Sequence, residues 1–209
     1  MMLRQISFII CSMLCMCAFG QNARKILDNT ASKIRKSGDI RVAFAATSFS
    51  GHTEQSKTNG VMLLKGKKMQ IDTPELKTWY DGTTLWSYMP ESGEVNVTKP
   101  TDKEMAVMNP YSFLDAYKKG YKLSVKEGRL RGENTYEVHL LARYAGYMVQ
   151  EVYIDIRKSD YVPLCVRVKL DGNWNRIAIH KYQGGLSLKD EEFRFNHTQY
   201  PEAEIIDLR

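Results

Sequence analysis

The spacing of apolar residues changes along the chain from a helical period to a strand period. In residues 22–38, apolar side chains recur every three to four positions, which predicts an amphipathic helix capped by Gly38. From residue 39 to residue 98 the apolar positions alternate between turn residues, which predicts about five strands. The alternation resumes at residue 121 and ends in the apolar run EIIDL. Sequential hairpins of this kind favour a mainly β, α+β domain with an antiparallel meander.

Residues 101–120 interrupt the strand pattern between the two halves. Thr101 precedes Glu104 by three positions, which is the spacing of a capping box. Pro110 and Gly120 are suited to the start and the end of a second helix. We therefore predict two short helices rich in methionine and aromatic residues, which either cover the open side of a sheet or fill it.

The stretch WYDGTTLWSYMPESGEV, residues 79–95, is the clearest hairpin. Asp81-Gly82 suits a two-residue type I′ turn, which pairs Tyr80 with Thr83. This pairing places Trp79, Trp86 and Tyr88 on one face and Tyr80, Leu85 and Met89 on the other. A solvated antiparallel sheet has one polar face, whereas both faces are apolar here. Two arrangements fit: a core on both sides, or a core on one side and a ligand cavity on the other.

The N-terminal segment predicts export. Arg4 precedes an uncharged apolar run, and Ala18 and Gly20 supply small residues at the −3 and −1 positions of a cleavage site. We predict a signal peptide at residues 1–20, a single domain at residues 21–209, and a periplasmic location. A retained membrane anchor is the alternative. Cys165 is the one cysteine outside the apolar run, so no intramolecular disulfide is expected, and its setting PLCVRV predicts a buried apolar role.

Composition excludes several classes of function. The net charge is +6, and the densest basic cluster is KGKK at residues 65–68. The other cations are dispersed among acids, so no nucleic-acid partner is expected. The four histidines are scattered, and no nucleophile, dinucleotide or metal motif occurs. We therefore expect no enzyme, no catalytic residues, no metal and no cofactor; an enzyme that uses dispersed residues such as His180 and Asp155 is the alternative.

Several motifs resemble the LolA family of periplasmic outer-membrane lipoprotein carriers. WYDGTTLWSYMP resembles the family's DGKTLWFYNP-like core motif, with seven matching residues: Asp81, Gly82, Thr84, Leu85, Trp86, Tyr88 and Pro90. IRVAFAATS and GVMLLKGKKMQID resemble the family's first strands. NPYSFL resembles the start of its lid helices, and FRFNHTQYPEAEIIDLR resembles its closing segment. The likeness spans nearly the whole chain after residue 20, in the family's order.

The resemblance implies a fold and a function. The fold is an incomplete antiparallel β-barrel, or half-barrel, with an N-terminal helix and two short lid helices. The function is a monomeric carrier that shields lipoprotein acyl chains between the two membranes. The implied partners are acylated lipoproteins, an inner-membrane lipoprotein exporter, and an outer-membrane acceptor or the outer membrane itself. The cavity and lid residues that we predict are Met62, Leu64, Trp79, Trp86, Tyr88, Met105, Met108, Phe113 and Leu114.

The sequence departs from the family pattern at the residues that latch the lid in family members. Family members carry Arg-Pro after the strand lysine, whereas Gly66 occupies the arginine position here. Lys67 and Lys68 are the candidate substitutes, although lysine lacks the rigid donor fork of arginine. The alternative function is therefore a periplasmic lipid- or lipoprotein-binding sensor of the same fold without a transport role. An outer-membrane acceptor would need a lipid anchor, and the residues before Cys15 and Cys17 do not suit one.

Overall fold

One helix and twelve strands form the framework. The computed structural model describes residues 22–101, 104–105, 108, 117–118, 120–144, 146–147, 149–170 and 172–209. Helix α1 spans residues 22–36 and ends before Gly38, whose φ of 64° confirms the predicted cap. The strands are β1 (Asp39–Ser50), β2 (Thr53–Lys65), β3 (Lys68–Asp72), β4 (Lys77–Tyr80), β5 (Leu85–Met89), β6 (Glu94–Thr98), β7 (Tyr121–Leu130), β8 (Glu133–Ala142), β9 (Val149–Arg157), β10 (Pro163–Leu170), β11 (Asn173–Leu186) and β12 (Glu204–Asp207).

The strands make one sheet in the order β12-β6-β5-β4-β3-β2-β1-β11-β10-β9-β8-β7. All neighbours are antiparallel except β12, which lies parallel to β6. The described strands leave the sheet open, with β12 and β7 at its edges, and do not close it into a barrel. The predicted incomplete antiparallel sheet with an N-terminal helix is confirmed. Among the described residues, no helix is long and apolar enough to cross a membrane.

The predicted lid helices are described only in part. Residues 104, 105 and 108 are helical, and the capping box is present: the Glu104 carboxylate accepts hydrogen bonds from the Thr101 N–H at 2.7 Å and the Thr101 hydroxyl at 2.8 Å. Most of the second predicted helix, at 110–119, lies outside the described residues. The predicted signal peptide at residues 1–20 also lies outside them.

The polar stretch before Val61 is the first part of β2, which forms a hairpin with β1 although residues 53–57 are exposed. The predicted register of the Trp79 hairpin was wrong. The Trp79 hairpin has a four-residue connection that pairs Tyr80 with Leu85, because the Asp81 carboxylate accepts hydrogen bonds from the two following threonine N–H groups at 3.0 and 2.9 Å. The register differs from the prediction by two residues, so both faces keep their predicted side chains.

Helix α1 joins two apolar clusters on the same face of the sheet, which we call the inner face. Its first turns contribute Ala23, Ile26 and Leu27 to cluster 1, which lies on β7–β10. Its later turns contribute Ala31 and Ile34 to cluster 2, which lies on β1–β5. Burying one such aliphatic side chain contributes about 1.5–3 kcal/mol. One helix therefore stabilises both halves of the open sheet.

Two glycines let the end of α1 approach β11 closely. A Cβ on Gly184 would lie 2.7 Å from the Cβ of Ser37 and 2.9 Å from its carbonyl oxygen. The next N–H, of Gly185, donates to that same carbonyl at 2.5 Å. The backbone of β11 therefore fixes the C-terminal end of the helix over the middle of the sheet.

We expect the substitution Gly60→Ala to destabilise the junction of β1, β2 and β3. A Cβ at this position would lie 2.7 Å from Cζ of Phe44 and 2.8 Å from the carbonyl oxygen of Asp72. Overpacking of this kind costs about 1–3 kcal/mol. Thermal unfolding should show a melting temperature lower by roughly 3–10 °C. Gly146→Ala, which meets nothing within 4 Å, is the control and should leave the melting temperature unchanged; equal losses would contradict the tight packing.

Candidate functional site

The inner face is apolar from one half of the sheet to the other. Between clusters 1 and 2 lies a central strip, defined as Ala46, Val166, Val168, Ile177 and Ile179. The pairing of Ala46 with Ile177, and of Ile177 with Val166, places these side chains on one face. Ile177 is 36% exposed, and its cross-strand neighbours Ala46 and Val166 are only partly buried. The strip is therefore apolar surface that the helix does not fully cover.

Partly buried apolar side chains also surround cluster 2. Val42, Met62, Ile71, Met108 and Tyr182 pack against its buried members and keep part of their surface exposed. Four of these residues come from the adjacent strands β3, β2, β1 and β11, and Met108 comes from the segment after Thr101. An apolar surface of this kind, rimmed by polar residues, is typical of a site for an apolar ligand.

The segment 101–120 is attached to α1 at both of its described ends. Met105 is buried in cluster 2 with Ala31 and Ile34. Tyr117 is buried in cluster 1, and its hydroxyl donates to the Asp28 carboxylate at 2.5 Å. Met105 and Tyr117 therefore lie on the same side of the sheet as α1, where the family resemblance expects a lid.

The structure divides the predicted cavity residues between the two faces. Met62, Leu64, Met105 and Met108 lie at the inner face. Trp79, Trp86 and Tyr88 lie on the opposite, outer face, because they alternate with Tyr80 and Leu85, which belong to cluster 2. Phe113 and Leu114 lie outside the described residues.

The C-terminal residues 188–209, which we call the C-terminal strap, cover the outer face of the Trp79 hairpin. The ring centroids of Phe195 and Tyr200 lie 5.6 and 5.7 Å from that of Trp79, and Tyr200 lies 4.8 Å from Tyr88. Phe193 is fully buried in a 3-10 helix that contacts β3 and β4. The hairpin is thus apolar on both faces because it has packed residues on both sides.

The KGKK turn holds this strap. Lys68 and Lys65 form ion pairs with Asp190 at 2.7 and 3.0 Å, and the Lys65 ammonium donates to the carbonyl of Leu188 at 2.6 Å. Gly66 adopts a φ of 57° in the turn, and Lys67 lies beside it. The hydrogen bonds from Lys68 and Lys65 lower the pKa of Asp190 from 3.8 to about 2. The candidate latch residue Lys68 therefore has an acidic partner in the strap.

Sequence reasoning missed the strap. The alternating pattern predicted strands from residue 121 to the final EIIDL run, whereas Asp190–Phe193 is a 3-10 helix. The spacing of Phe193, Phe195 and Tyr200 was the available signal, since three aromatic residues near a terminus need a surface to pack on. Their partner is far away in the sequence, so local patterns did not reveal it.

The residues that an enzyme could use are engaged in structural contacts. His180 lies 3.3 Å from the guanidinium of Arg131, and Asp155 lies 3.5 Å from that of Arg167. Cys165 is free and buried, as predicted, and burial raises the pKa of its thiol. Among the described residues, no three His, Cys, Asp or Glu side chains are grouped so that they could hold a metal ion.

The fold and the site define a class: an open antiparallel sheet with an apolar inner face that is partly covered by helical segments. Comparison with known proteins gives the family. The family described as "Outer membrane lipoprotein carrier protein LolA" matches residues 14–172, more than half of the chain. The chain therefore belongs to this LolA-like family, as the sequence resemblance indicated. No curated protein matches the chain.

Solved structures agree on the fold. An uncharacterized conserved protein from Thermus thermophilus is 11% identical with a TM-score of 0.59, covering 89% of this chain and 99% of its own. The lipoprotein LppX from Mycobacterium tuberculosis is 7% identical with a TM-score of 0.52, covering 81% and 99%.

We expect the attachment of the strap to weaken at acidic pH. The folded-state pKa of Asp190 is depressed to about 2. The ion pairs of its carboxylate therefore stabilise the attached strap fully above pH 3.8, and this stabilisation is lost as pH falls towards 2. Hydrogen exchange of residues 188–200 should be faster in Asp190→Asn than in wild type at pH 6. The two proteins should converge near pH 2.

Glu202→Gln is the control for this comparison. Glu202 is an exposed acid of the same strap, and no ion pair involves it among the described residues. This variant should exchange like wild type at every pH. Equal exchange in Asp190→Asn and wild type at pH 6 would show that the lysine pairs do not hold the strap.

Proposed function

We propose that this protein is a periplasmic carrier that shields lipoprotein acyl chains against its inner face and moves them from the inner to the outer membrane. The observation that carries the proposal is the incompletely covered apolar surface between clusters 1 and 2, with Ile177 36% exposed at its centre. Membership of the LolA-like family supports the same assignment. The proposed ligand-contacting residues are Met62, Leu64, Met105, Met108 and the central strip, together with Phe113 and Leu114 of the lid segment.

The energetics of the cargo explain why an apolar face is needed. Each buried CH₂ contributes about 0.8 kcal/mol, so one long acyl chain costs on the order of 10 kcal/mol to hold in water. The inner face supplies aliphatic side chains and flexible methionines, which adapt to a disordered chain. No bond is made or broken in such a role, and we assign no catalytic residue or cofactor. The proposed partners are the lipoprotein, an inner-membrane exporter, and an acceptor at the outer membrane or that membrane itself.

The sequence and contacts of the KGKK turn favour a second candidate function, that of a lipid- or lipoprotein-binding protein without a transport role. The family's arginine position is occupied by Gly66, and the adjacent Lys68 is paired with Asp190 of the strap. Release of a radiolabelled lipoprotein from inner-membrane vesicles distinguishes the two candidates. A soluble one-to-one complex with the lipoprotein supports the carrier. Binding of free acyl chains without release supports the second candidate.

We expect Met62→Glu to abolish acyl-chain binding. The substitution places an unpaired carboxylate on the inner face, and burying such a charge beside an acyl chain is strongly unfavourable. Titration with a fluorescent fatty acid should show affinity reduced by at least about 100-fold, with the circular dichroism spectrum unchanged. Tyr88→Glu, which adds the same charge on the outer face, should leave the affinity unchanged. The reverse ranking would place the ligand at the hairpin's outer face instead.

A further inference from the structure

A second site lies on the outer face over β1, β11, β10 and β9, in the middle of the strand order and away from the strap. Phe49, Tyr153, Trp174 and Arg176 line an open groove of about 340 Å³ there. The Tyr153 and Trp174 ring centroids are 5.8 Å apart. Phe49 pairs with Trp174 across β1 and β11, so three aromatic rings from three strands face the same groove. This aromatic grouping has no role in the inner face or in the strap.

Cations surround the groove, and most of them lack an acidic partner. Arg176 lies over the Phe49 ring at 5.4 Å, and Lys169 lies over the Trp174 ring at 5.8 Å. Lys57 of β2 and Arg176 of β11 both pair with Thr47 of β1, so their side chains lie on the same face of the sheet. Among the described residues, none of these three cations forms an ion pair. Glu54 is the acid opposite Phe49, and Glu151 is the cross-strand neighbour of Lys169.

The neighbouring carboxylates are already occupied. Glu137 pairs with Arg167 at 2.7 Å and with Lys126 at 2.9 Å. Glu151 accepts hydrogen bonds from the Tyr153 hydroxyl at 3.0 Å and contacts His139 at 2.9 Å. These contacts fix the Tyr153 wall of the groove, whereas Lys57, Lys169 and Arg176 form no ion pair among the described residues and are available to an anion from outside.

We propose that this groove docks the protein on an anionic lipid surface, with lipid phosphates at Lys57, Lys169 and Arg176 and with Trp174 and Phe49 at the headgroup level. Trp and Tyr side chains favour the interface between lipid and water because one part of each ring is apolar and the other is polar. Lys and Arg side chains extend along such rings towards phosphate. An acyl chain on the inner face and a membrane on the outer face can then be bound at the same time.

The test is sedimentation of the purified protein with vesicles of phosphatidylcholine alone or with added phosphatidylglycerol. We expect binding that requires phosphatidylglycerol and is lost at about 1 M NaCl, where the Debye length is about 3 Å. Each cation near an anionic surface is worth about five-fold in affinity, so the triple variant Lys57→Gln/Lys169→Gln/Arg176→Gln should bind about 100-fold more weakly. Trp174→Ala should weaken binding without changing its salt dependence.

Two control proteins make the result specific. Lys25→Gln/Lys36→Gln/Lys99→Gln removes the same charge from exposed positions elsewhere and should retain most of the binding. Met62→Glu should also retain it, because the inner face is not used; its loss of vesicle binding would assign the lipid to the inner face. If both triple variants lost the same amount of vesicle binding, binding would depend on net charge alone, and the proposal would be overturned. Displacement by inorganic phosphate without any vesicle binding would also overturn it, in favour of a soluble phosphate ligand.

Discussion

The packing of α1 across the inner face is the interaction on which the rest of the structure depends. An open sheet of twelve strands has no second sheet to bury its apolar side. The helix supplies that partner, and its two ends bury Leu27 in cluster 1 and Ile34 in cluster 2. The Gly184 and Gly185 pair holds it against β11. Because one helix is narrower than the sheet, the central strip remains partly exposed.

This incomplete coverage links the fold to the proposed function. A fully filled inner face would be a stable core with no room for a ligand, and a bare one would promote aggregation. Helix α1 leaves an intermediate state, in which the aliphatic side chains of the central strip are close together but not fully buried. The Tyr117 hydroxyl donates to the Asp28 carboxylate, and the Arg24 guanidinium donates to the Lys118 carbonyl at 3.4 Å, so polar contacts tie residues 117–118 to the helix.

Sequence patterns predicted the elements better than their long-range partners. The helix, its Gly38 cap, the Thr101 capping box and the two faces of the Trp79 hairpin follow from spacings of a few residues, and all are confirmed. The contact of Phe195 with Trp79 and the parallel pairing of β12 with β6 join residues about 110 positions apart, which no local period encodes. For the same reason, Trp79, Trp86 and Tyr88 were grouped with the cavity residues although they lie on the opposite face from Met62.

The central claim is that acyl chains bind between the two clusters of the inner face. Photo-cross-linking with a diazirine-bearing fatty acid, followed by peptide mapping by mass spectrometry, tests it most directly. The account predicts adducts on β2, β10 and β11 near Met62, Val166 and Ile177, which excess unlabelled fatty acid suppresses. Adducts confined to the strap and the outer side of the Trp79 hairpin, or adducts that competition does not suppress, would contradict it.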